Sequence, residues 1–493
     1  MARVAVVGAG LGGLTAAARL AHAGHRVDVF EQQDFAGGKA GSRTIGGYRF
    51  DTGPSLFTLP EVFRRVFQDT GERLEDYVSL VPLEPICRYF YPDGTRLASS
   101  SDPKRFGAEI EKKTLDSSAA LEAYLRHAGR VYDAAAELFL WNSLHVPSSY
   151  FSKTGLRAIR RVGRIDVLRS LDRANRAFFV NPRTVQLFDR YATYNGSNPY
   201  RLPATFSIIP YIEYTFGGYA VRGGIYAVPQ AIYALGRNKG VRFHFGRRVE
   251  RILTAGRAVS AVVVEGAEIP CDVVVSNADV LQTYRTLLED REAPWARRYD
   301  RLEPSSSGLV YYWGMGRSFE ELGVHNVFFS SNYEREFEAI FDRRVCPEDP
   351  TIYINITSKV SPEDAPAGGE NWFILLNAPH NSGQNWPQAA RHARRRIVER
   401  LENLLAKPVE KHIEVEETMT PVDIEADTGS TYGSLYGICS NSPLAAFHRH
   451  PNRSRRYRGL YFCGGSAHPG GGMPLAVLSG RIASQLVEKY EAE

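Results

Sequence analysis

The sequence predicts an α/β protein in which a parallel sheet flanked by helices is combined with a second, mixed sheet and a helical insertion. Short valine-rich runs alternate with helical patterns near both ends of the chain, which is typical of strand–helix–strand units. Residues 101–214 carry mainly helical patterns, and residues 291–414 mix strands with a basic helix. The length of 493 residues exceeds one ordinary hydrophobic core, so more than one domain is expected.

A glycine-rich turn joins a strand to a helix at the start of the chain. The apolar run at residues 3–7 predicts a buried parallel strand, and residues 14–23 predict a helix. Between them, Gly8, Gly10 and Gly13 form the pattern G-x-G-x-x-G. The first glycine permits a tight turn, the second lets the backbone approach a pyrophosphate, and the third lets helix and strand pack closely. The pattern indicates dinucleotide binding at the helix N-terminus.

An acidic residue follows at the position that such a site requires. Glu31 ends a second strand pattern and lies 18 residues after Gly13. A carboxylate about 20 residues beyond the glycines binds a ribose hydroxyl and disfavours a 2′-phosphate. These residues therefore favour FAD or NAD over NADP. The alternative is an ordinary strand–helix–strand unit that binds no nucleotide.

The composition restricts the remaining possibilities. The net charge of +5, from 60 basic and 55 acidic residues, is mild, and we expect no nucleic-acid partner. The five cysteines are scattered without a C-x-x-C pair, which argues against a disulfide framework or a metal site and fits a reducing cytoplasm. The glycine motif begins close to Met1, which argues against a signal peptide. No apolar run of about 18 residues predicts a membrane-spanning helix.

Further glycine-rich segments are placed where they could contact the same dinucleotide. Residues 37–42 and 47–55 predict a second backbone approach to the cofactor, with a pair of surface turns as the alternative. The predicted strand at residues 272–279 ends in small polar residues. Residues 459–463 predict a buried strand, residues 464–474 a glycine-rich loop, and residues 475–490 a helix. This last unit again presents helix N–H groups to an electron-rich partner.

Two central segments have open interpretations. Residues 153–179 are basic and amphipathic, a pattern typical of a helix or helix pair lying on an anionic lipid surface. The alternative is a solvated helix whose apolar face meets the core. Residues 191–200 and 210–214 are dense in tyrosine, and they predict either the lining of a pocket for a conjugated ligand or ordinary half-buried aromatics.

Together these motifs resemble the FAD-dependent carotenoid desaturases of the phytoene desaturase type, within the wider group of amine-oxidase-like flavoproteins. The resemblance runs the length of the chain. Its most specific part is the C-terminal glycine-rich loop with His468, Pro469 and Gly470. The matching segments are residues 7–13, 31, 37–42, 50–55, 222–224, 275–279 and 464–474.

The resemblance implies a Rossmann-type FAD-binding domain and a set of cofactor-binding residues. One departure is Lys39, where many relatives have arginine, because lysine lacks bidentate geometry toward a phosphate. The residues expected to contact FAD are Gly8, Ala9, Gly10, Leu11, Gly13, Glu31, Gly38, Lys39, Gly53, Pro54, Ser55, Val249, Asn277, Gly464, Gly465, Gly472, Met473 and Pro474.

Central segments resemble one branch of the family, the bacterial 1-hydroxycarotenoid 3,4-desaturases. These segments are residues 55–58, 87–94, 194–200, 435–437, 447–452 and 464–469. The implied reaction is oxidation of a C–C single bond of an acyclic carotenoid, with hydride transfer to the flavin and proton loss from the neighbouring carbon. His468 and Arg157 are the candidates for a proton acceptor, and a loop-structuring role is the alternative for His468.

The same resemblance implies the partners and the location. We expect an acyclic carotenoid substrate, a membrane surface, and a quinone or O₂ as electron acceptor, with the protein cytoplasmic and peripheral at the inner face of the cell membrane. Alternative activities are phytoene- or lycopene-type desaturation, terminal oxygenation, polyene isomerisation and oxidation of soluble amines. An alternative of another class is a non-catalytic FAD- or carotenoid-binding protein.

We expect three regions along the chain. The FAD-binding domain is discontinuous and comprises residues 1–100, 215–290 and 415–493. Residues 101–214 form the helical insertion that is predicted to meet the membrane, and residues 291–414 form the substrate domain.

Overall fold

A computed structural model describes residues 1–136, 141, 143, 165–443 and 445–491. The strands in these residues are β1 (Arg3–Val7), β2 (Arg26–Phe30), β3 (Ser42–Ile45), β4 (Tyr48–Asp51), β5 (Leu80–Pro82), β6 (Cys87–Phe90), β7 (Arg96–Ser99), β8 (Tyr219–Val221), β9 (Arg242–His244), β10 (Val249–Ala255), β11 (Ala258–Val264), β12 (Ala267–Pro270), β13 (Val273–Ser276), β14 (Ser307–Met315), β15 (His325–Phe328), β16 (Ile352–Ile356), β17 (Glu370–Ala378), β18 (Ile413–Met419) and β19 (Leu460–Phe462).

The α-helices are distributed over both halves of the described chain. Short 3₁₀ and π turns connect several of them. The α-helices of the described residues are Leu11–His22, Pro60–Gln68, Pro103–Lys113, Ser118–Ala135, Leu171–Asn175, Pro182–Asp189, Ile208–Phe216, Ala227–Asn238, Val280–Gln282, Pro294–Tyr299, Tyr333–Glu338, Trp386–Leu405, Pro421–Thr428, Ala445–His448 and Met473–Glu491.

The predicted parallel sheet is confirmed. Five strands follow the order β19-β13-β1-β2-β9, and every neighbouring pair is parallel. Strand β1 lies at the centre because its valines and alanine are buried on both faces, as in other parallel sheets covered by helices. Since parallel strands share one carboxyl edge, the loops after β1, β13 and β19 lie side by side.

The two faces of this sheet are covered differently. Val4 and Val6 face a core shared with the helices Leu11–His22, Ala227–Asn238 and Met473–Glu491. Ala5 and Val7 face the small antiparallel sheet β10-β11-β12. This alternation follows from the two-residue period of a strand.

The second sheet is mixed, as predicted, and it has seven strands in the order β18-β14-β17-β16-β15-β6-β7. The pair β15–β6 is parallel and the other pairs are antiparallel. On one face, isoleucines and tryptophans of β16 and β17 pack against the helix Trp386–Leu405. Because the hairpin β6–β7 joins this sheet, residues 87–99 lie with the second sheet, although the predicted domain boundary is at residue 100.

The basic segment 153–179 falls partly outside the described residues, since residues 153–164 are not described. Of residues 165–179, only Leu171–Asn175 is α-helical, and Ser170 Oγ caps this helix by accepting from Arg173 N (3.3 Å). The described part is therefore not a continuous amphipathic helix. In the described portion of the chain, no helix has the length and apolarity needed to span a membrane.

Close packing of the first helix depends on glycine. A Cβ on Gly13 would overlap the carbonyl oxygen of Gly8, which confirms the packing role predicted for this glycine. A Cβ on Gly480, in the helix Met473–Glu491, would overlap the carbonyl oxygen of Gly12 and lie 3.0 Å from Thr15 Cβ. The two helices therefore approach so closely that only glycine fits at their crossing.

We expect Gly480→Ala to destabilise the protein by about 1–3 kcal/mol, because a backbone carbonyl and a helix must move apart to accept the methyl group. Chemical denaturation measures this loss. Gly236→Ala is the matched control, because its new Cβ would meet only the ring of Phe243 at 3.1 Å and Val241 Cγ2 at 3.6 Å. Equal stabilities of the two variants would contradict the close crossing.

Candidate functional site

One cavity of about 740 Å³ extends from the carboxyl edge of the parallel sheet to the second sheet. Its first part is lined by the glycine-rich loops after β1 and β19 and by the loop after β13. Its second part is lined by one face of the seven-stranded sheet and by two tyrosine-rich segments. The cavity therefore joins a nucleotide-type cradle to a largely apolar chamber.

Glu31 is positioned by the loop that it faces. Its Oε2 accepts from Ala9 N (2.7 Å) and its Oε1 accepts from Gln33 N (2.9 Å). Burial raises the pKa of the Glu31 carboxyl, and the backbone donors oppose that shift. The carboxylate thus fixes the glycine turn and stands at the end of β2.

Asn277 connects the loops that follow β1 and β19. It comes directly after β13, and its Oδ1 accepts from Gly13 N (3.1 Å). The same oxygen lies 3.7 Å from Cys463 Sγ, next to Gly464 of the C-terminal loop. Asn277 therefore holds the N-terminus of the first helix in register with the last glycine-rich loop.

Lys39 belongs to the second glycine segment, which is joined to the first loop by a bridge between Gly10 and Gly37. Its Nζ donates to the carbonyl oxygens of Ser434 (3.0 Å) and Leu435 (2.9 Å). Burial lowers the pKa of Lys39 to about 8, and nearby Asp279 opposes that shift. The amine lines the cavity as a desolvated cation, which is a favourable position for an anionic group.

His468 lies in the C-terminal loop but is buried away from the cavity wall. Its carbonyl oxygen accepts from Asn452 Nδ2 and Ser479 Oγ, both at 2.7 Å. Its backbone N–H donates to the carbonyl oxygen of His450 (2.9 Å). His468 is not among the described residues that line the cavity. Its position therefore favours a loop-structuring role over contact with a substrate. The other predicted acid/base residue, Arg157, lies outside the described residues.

The structure brings most of the predicted cofactor residues to the cavity wall. Those that line it are Gly10, Leu11, Gly38, Lys39, Gly53, Pro54, Ser55, Asn277, Gly464, Gly465, Gly472, Met473 and Pro474. Five predicted residues lie behind this wall in the described structure: Gly8, Ala9, Gly13, Glu31 and Val249. The first four support the turn, whereas Val249 is buried at the start of β10 in the core under the parallel sheet.

The chamber wall is formed by alternate residues of the second sheet. Tyr353 of β16 and Phe373 and Leu375 of β17 face the cavity, whereas Ile352, Ile354 and Leu376 face the helix Trp386–Leu405. Val310 and Val327 extend the cavity face onto β14 and β15. The two-residue period of the strands thus gives the sheet one core face and one chamber face.

A buried polar cluster, consisting of Arg190, Tyr191, Tyr194 and Glu213, also borders the chamber, and the sequence patterns did not single out its charged members. The Glu213 carboxylate accepts from Tyr191 OH (2.7 Å) and Tyr194 OH (3.0 Å). Arg190 donates to Tyr194 OH (3.3 Å) and lies over the rings of Tyr191 and Tyr194. Burial raises the pKa of Glu213, and the Arg190 guanidinium opposes that shift. The two interpretations of the tyrosine-rich segments apply to different residues. Tyr194 lines the cavity, whereas Tyr191 is a buried aromatic residue.

A chain of hydrogen-bonding groups crosses from the cradle to the chamber. Ser55 Oγ lies 2.5 Å from Tyr353 OH, and Tyr353 OH lies 2.7 Å from His325 Nδ1. All three residues line the cavity. The sequence analysis missed His325 and Tyr353, although polar residues at alternate positions of an isoleucine-rich strand, as in residues 352–356, are a detectable signal.

Known proteins resemble this chain along its whole length. The family model of the flavin-containing amine oxidoreductases matches residues 11–488. A 1-hydroxycarotenoid 3,4-desaturase of Flavobacterium sp. (strain P99-3) is 42% identical over 100% of both chains. A 4,4′-diapolycopene oxygenase of Methylomonas sp. is 35% identical over 97% of both chains. A solved oxidoreductase from Methanosarcina mazei has a TM-score of 0.62 at 17% identity, over 99% of this chain and 100% of that one.

The residues of the cradle fit the FAD that such a family uses. Within the described chain, the helix Leu11–His22 begins without a capping side chain, and neither it nor Met473–Glu491 has an acid in its first turn. Two positive helix ends and the Lys39 amine therefore face the cavity without a carboxylate in those turns, which suits a pyrophosphate. Glu31 lies beside the turn but behind the cavity wall, so its contribution to the cradle is to hold the turn through Ala9 N–H.

We expect Asn277→Ala to weaken FAD binding by about tenfold, because Gly13 N–H loses its acceptor and the two loops lose their common anchor. Fluorescence of FAD released on dilution measures this change. The matched control is Asn238→Ala, which removes an exposed hydrogen bond from Nδ2 to Tyr77 OH (2.9 Å) between two residues that do not line the cavity. FAD affinity that is equal in both variants would contradict the anchoring role.

Proposed function

This chain belongs to the carotenoid desaturase and oxygenase group of the flavin-containing amine oxidoreductases and is an FAD-dependent oxidoreductase, and we propose that it introduces the 3,4 double bond into an acyclic 1-hydroxycarotenoid. The observation that carries this proposal is the 42% identity, over the whole chain, to a 1-hydroxycarotenoid 3,4-desaturase. The continuous cavity that joins the cradle to a largely apolar chamber supports it, because a polyene must reach the cofactor without water.

Bound FAD supplies the acceptor for a hydride from the substrate. The chain itself aligns the polyene, and the chamber face of the second sheet does so with Val310, Phe373 and Leu375. These side chains also exclude water from the reacting carbons. Because a conjugated polyene delocalises positive charge, proton loss from the neighbouring carbon needs no strong base, and alignment is the main task of the protein.

We also propose that the enzyme is peripheral to the inner face of the cell membrane and takes its substrate from the bilayer. Two apolar side chains in and beside the basic segment support this proposal, since Leu168 is 94% exposed and Val180 is 81% exposed. Exposed apolar residues next to arginines are typical of a lipid-binding surface. A quinone or O₂ then accepts the electrons, and adding each to the anaerobically reduced protein distinguishes them.

A first experiment tests the reaction. The FAD-loaded protein is mixed anaerobically with a 1-hydroxycarotenoid in liposomes, and we expect the flavin absorbance to bleach while a product two hydrogens lighter forms. Absorbance and chromatography with mass detection measure both events. The matching hydrocarbon carotene is the control substrate, and we expect slower bleaching with it.

Other results would reject the assignment in different ways. Faster bleaching with the hydrocarbon would indicate phytoene- or lycopene-type desaturation. Terminal oxidation is the second candidate, favoured by the 35% identical oxygenase, and it predicts a product that gains oxygen when O₂ is admitted. If only a soluble amine bleaches the flavin, the protein is an amine oxidase. If none of the compounds bleaches the flavin, the protein is a binding protein.

A second experiment tests membrane contact. We expect the double variant Leu168→Asp, Val180→Asp to bind anionic liposomes at least about tenfold more weakly, because two exposed apolar groups no longer enter the lipid. Co-sedimentation with vesicles measures the binding. Val422→Asp, at a 44% exposed valine outside this segment, is the matched control. Unchanged binding of the double variant would remove Leu168 and Val180 from the membrane surface.

A further inference from the structure

His325 has a hydrogen-bonding atom without a partner at the cavity. The residue begins β15, its side chain lines the cavity, and it is only 3% exposed. Its Nδ1 is engaged by Tyr353 OH at 2.7 Å. In the described part of the structure, no atom forms a hydrogen bond with Nε2. A buried polar atom of this kind lowers stability unless a ligand or an ordered water satisfies it.

The neighbouring amide determines which nitrogen carries the proton. Asn355 Nδ2 donates to the carbonyl oxygen of Val324 (3.1 Å), which fixes the orientation of the amide. The same Nδ2 lies 3.3 Å from His325 Nδ1. Because an amide nitrogen only donates, this contact favours Nδ1 as an acceptor and the proton of the neutral ring on Nε2. The unpartnered atom is therefore a donor.

The position of this donor is close to the cradle. Tyr353 links His325 to Ser55. Ser55 directly follows Gly53 and Pro54, which also line the cavity. In a 1-hydroxycarotenoid the hydroxyl carbon C1 is separated from the reacting carbon C3 by a single carbon. A substrate whose 3,4 bond reaches the cradle therefore places its hydroxyl group in the adjoining part of the cavity. Ser55, Tyr353 and His325 line that part.

We propose that His325 donates a hydrogen bond from Nε2 to the terminal hydroxyl oxygen of the substrate and thereby selects hydroxylated over hydrocarbon carotenoids. This inference rests on the proposed function. A hydrocarbon end leaves the Nε2–H group buried and unpaired, whereas a tertiary hydroxyl satisfies it. A site built to bind a hydroxyl group discriminates strongly against the analogue that lacks it.

The other polar groups of the chamber are less suited to this role. Arg190 Nε has no partner in the described structure, but the guanidinium is held by Tyr194 OH (3.3 Å) and Tyr89 OH (3.0 Å) through its other nitrogens. Glu213 accepts from two tyrosines, and Thr351 Oγ1 donates to Glu336 Oε2 (2.7 Å). Burial and the charge of Arg190 lower the pKa of His325 to about 3. A ring with so low a pKa is a poor proton acceptor, so it suits binding better than catalysis by a base.

The test measures binding, because discrimination need not appear as activity. The holoenzyme is reduced anaerobically so that it does not oxidise carotenoid, and its dissociation constants for a 1-hydroxycarotenoid and for the matching hydrocarbon are measured in the same liposomes. We expect the wild type to bind the hydroxylated compound about 10- to 100-fold more tightly, as one buried donor predicts. His325→Phe should abolish this ratio by weakening binding of the hydroxylated compound alone.

Two further variants separate binding from a structural role. In His325→Gln, the amide nitrogen lies close to the position of Nε2, and we expect it to keep the ratio within about threefold of the wild type. Tyr333→Phe removes a hydroxyl group that is also without a partner in the described structure and belongs to a residue of the cavity wall, and it should leave the ratio unchanged. FAD content and the melting temperature confirm that each variant is folded.

The failures of the two proposals are distinguishable. Equal affinities of the wild type for both compounds, equal weakening of both by His325→Phe, or loss of the ratio in Tyr333→Phe alone would overturn the role of His325. Preferential binding of the hydroxylated compound that depends on His325, without any bleaching by it in the oxidised enzyme, would support this role and overturn the proposed reaction.

Discussion

The contact between Asn277 Oδ1 and Gly13 N is the interaction on which the site depends. The loops after β1, β13 and β19 are far apart in sequence and must meet at one edge of the parallel sheet, and those after β1 and β19 are too rich in glycine to hold their own shape. Strand order brings the loops together, and the asparagine then fixes their register. A short side chain with one acceptor and one donor group suits this place because the helix N-terminus on one side is rich in unpaired N–H groups.

Local sequence patterns predicted the cradle well. A valine-rich run, a glycine turn or a helical period predicts each of its strands and helices. The bounds of the helix Leu11–His22 and of β19 differ from the predicted ones by at most three residues. The glycines carried information because the steric demand that places them, as at Gly13, is itself local. Glu31 was predicted because its spacing from the glycines is also a local signal. In the structure it lies behind the cavity wall and accepts from backbone N–H groups.

The chamber could not be predicted in the same way, because it depends on contacts between distant segments. The place of the hairpin β6–β7 beside β15 follows from pairing with residues more than 230 positions away. His325, Tyr353 and Glu213 come from three separate elements, and none belongs to a motif. Isolated polar residues in apolar strands were the available signal, yet their significance depends on which face of the sheet they occupy. Arg157 and the first part of the basic segment, residues 153–164, stay predictions, since they lie outside the described residues.

During synthesis, the parallel sheet gains its strands in chain order, so β1 and β2 leave the ribosome long before β19. The nascent chain therefore presents the first glycine turn without the loop that lies beside it in the folded protein. Until residues 460–474 have emerged, the edge of β13 and the cradle remain open. The complete cradle therefore exists only once β19 has paired with β13, and the edge of β13 lacks that partner until then.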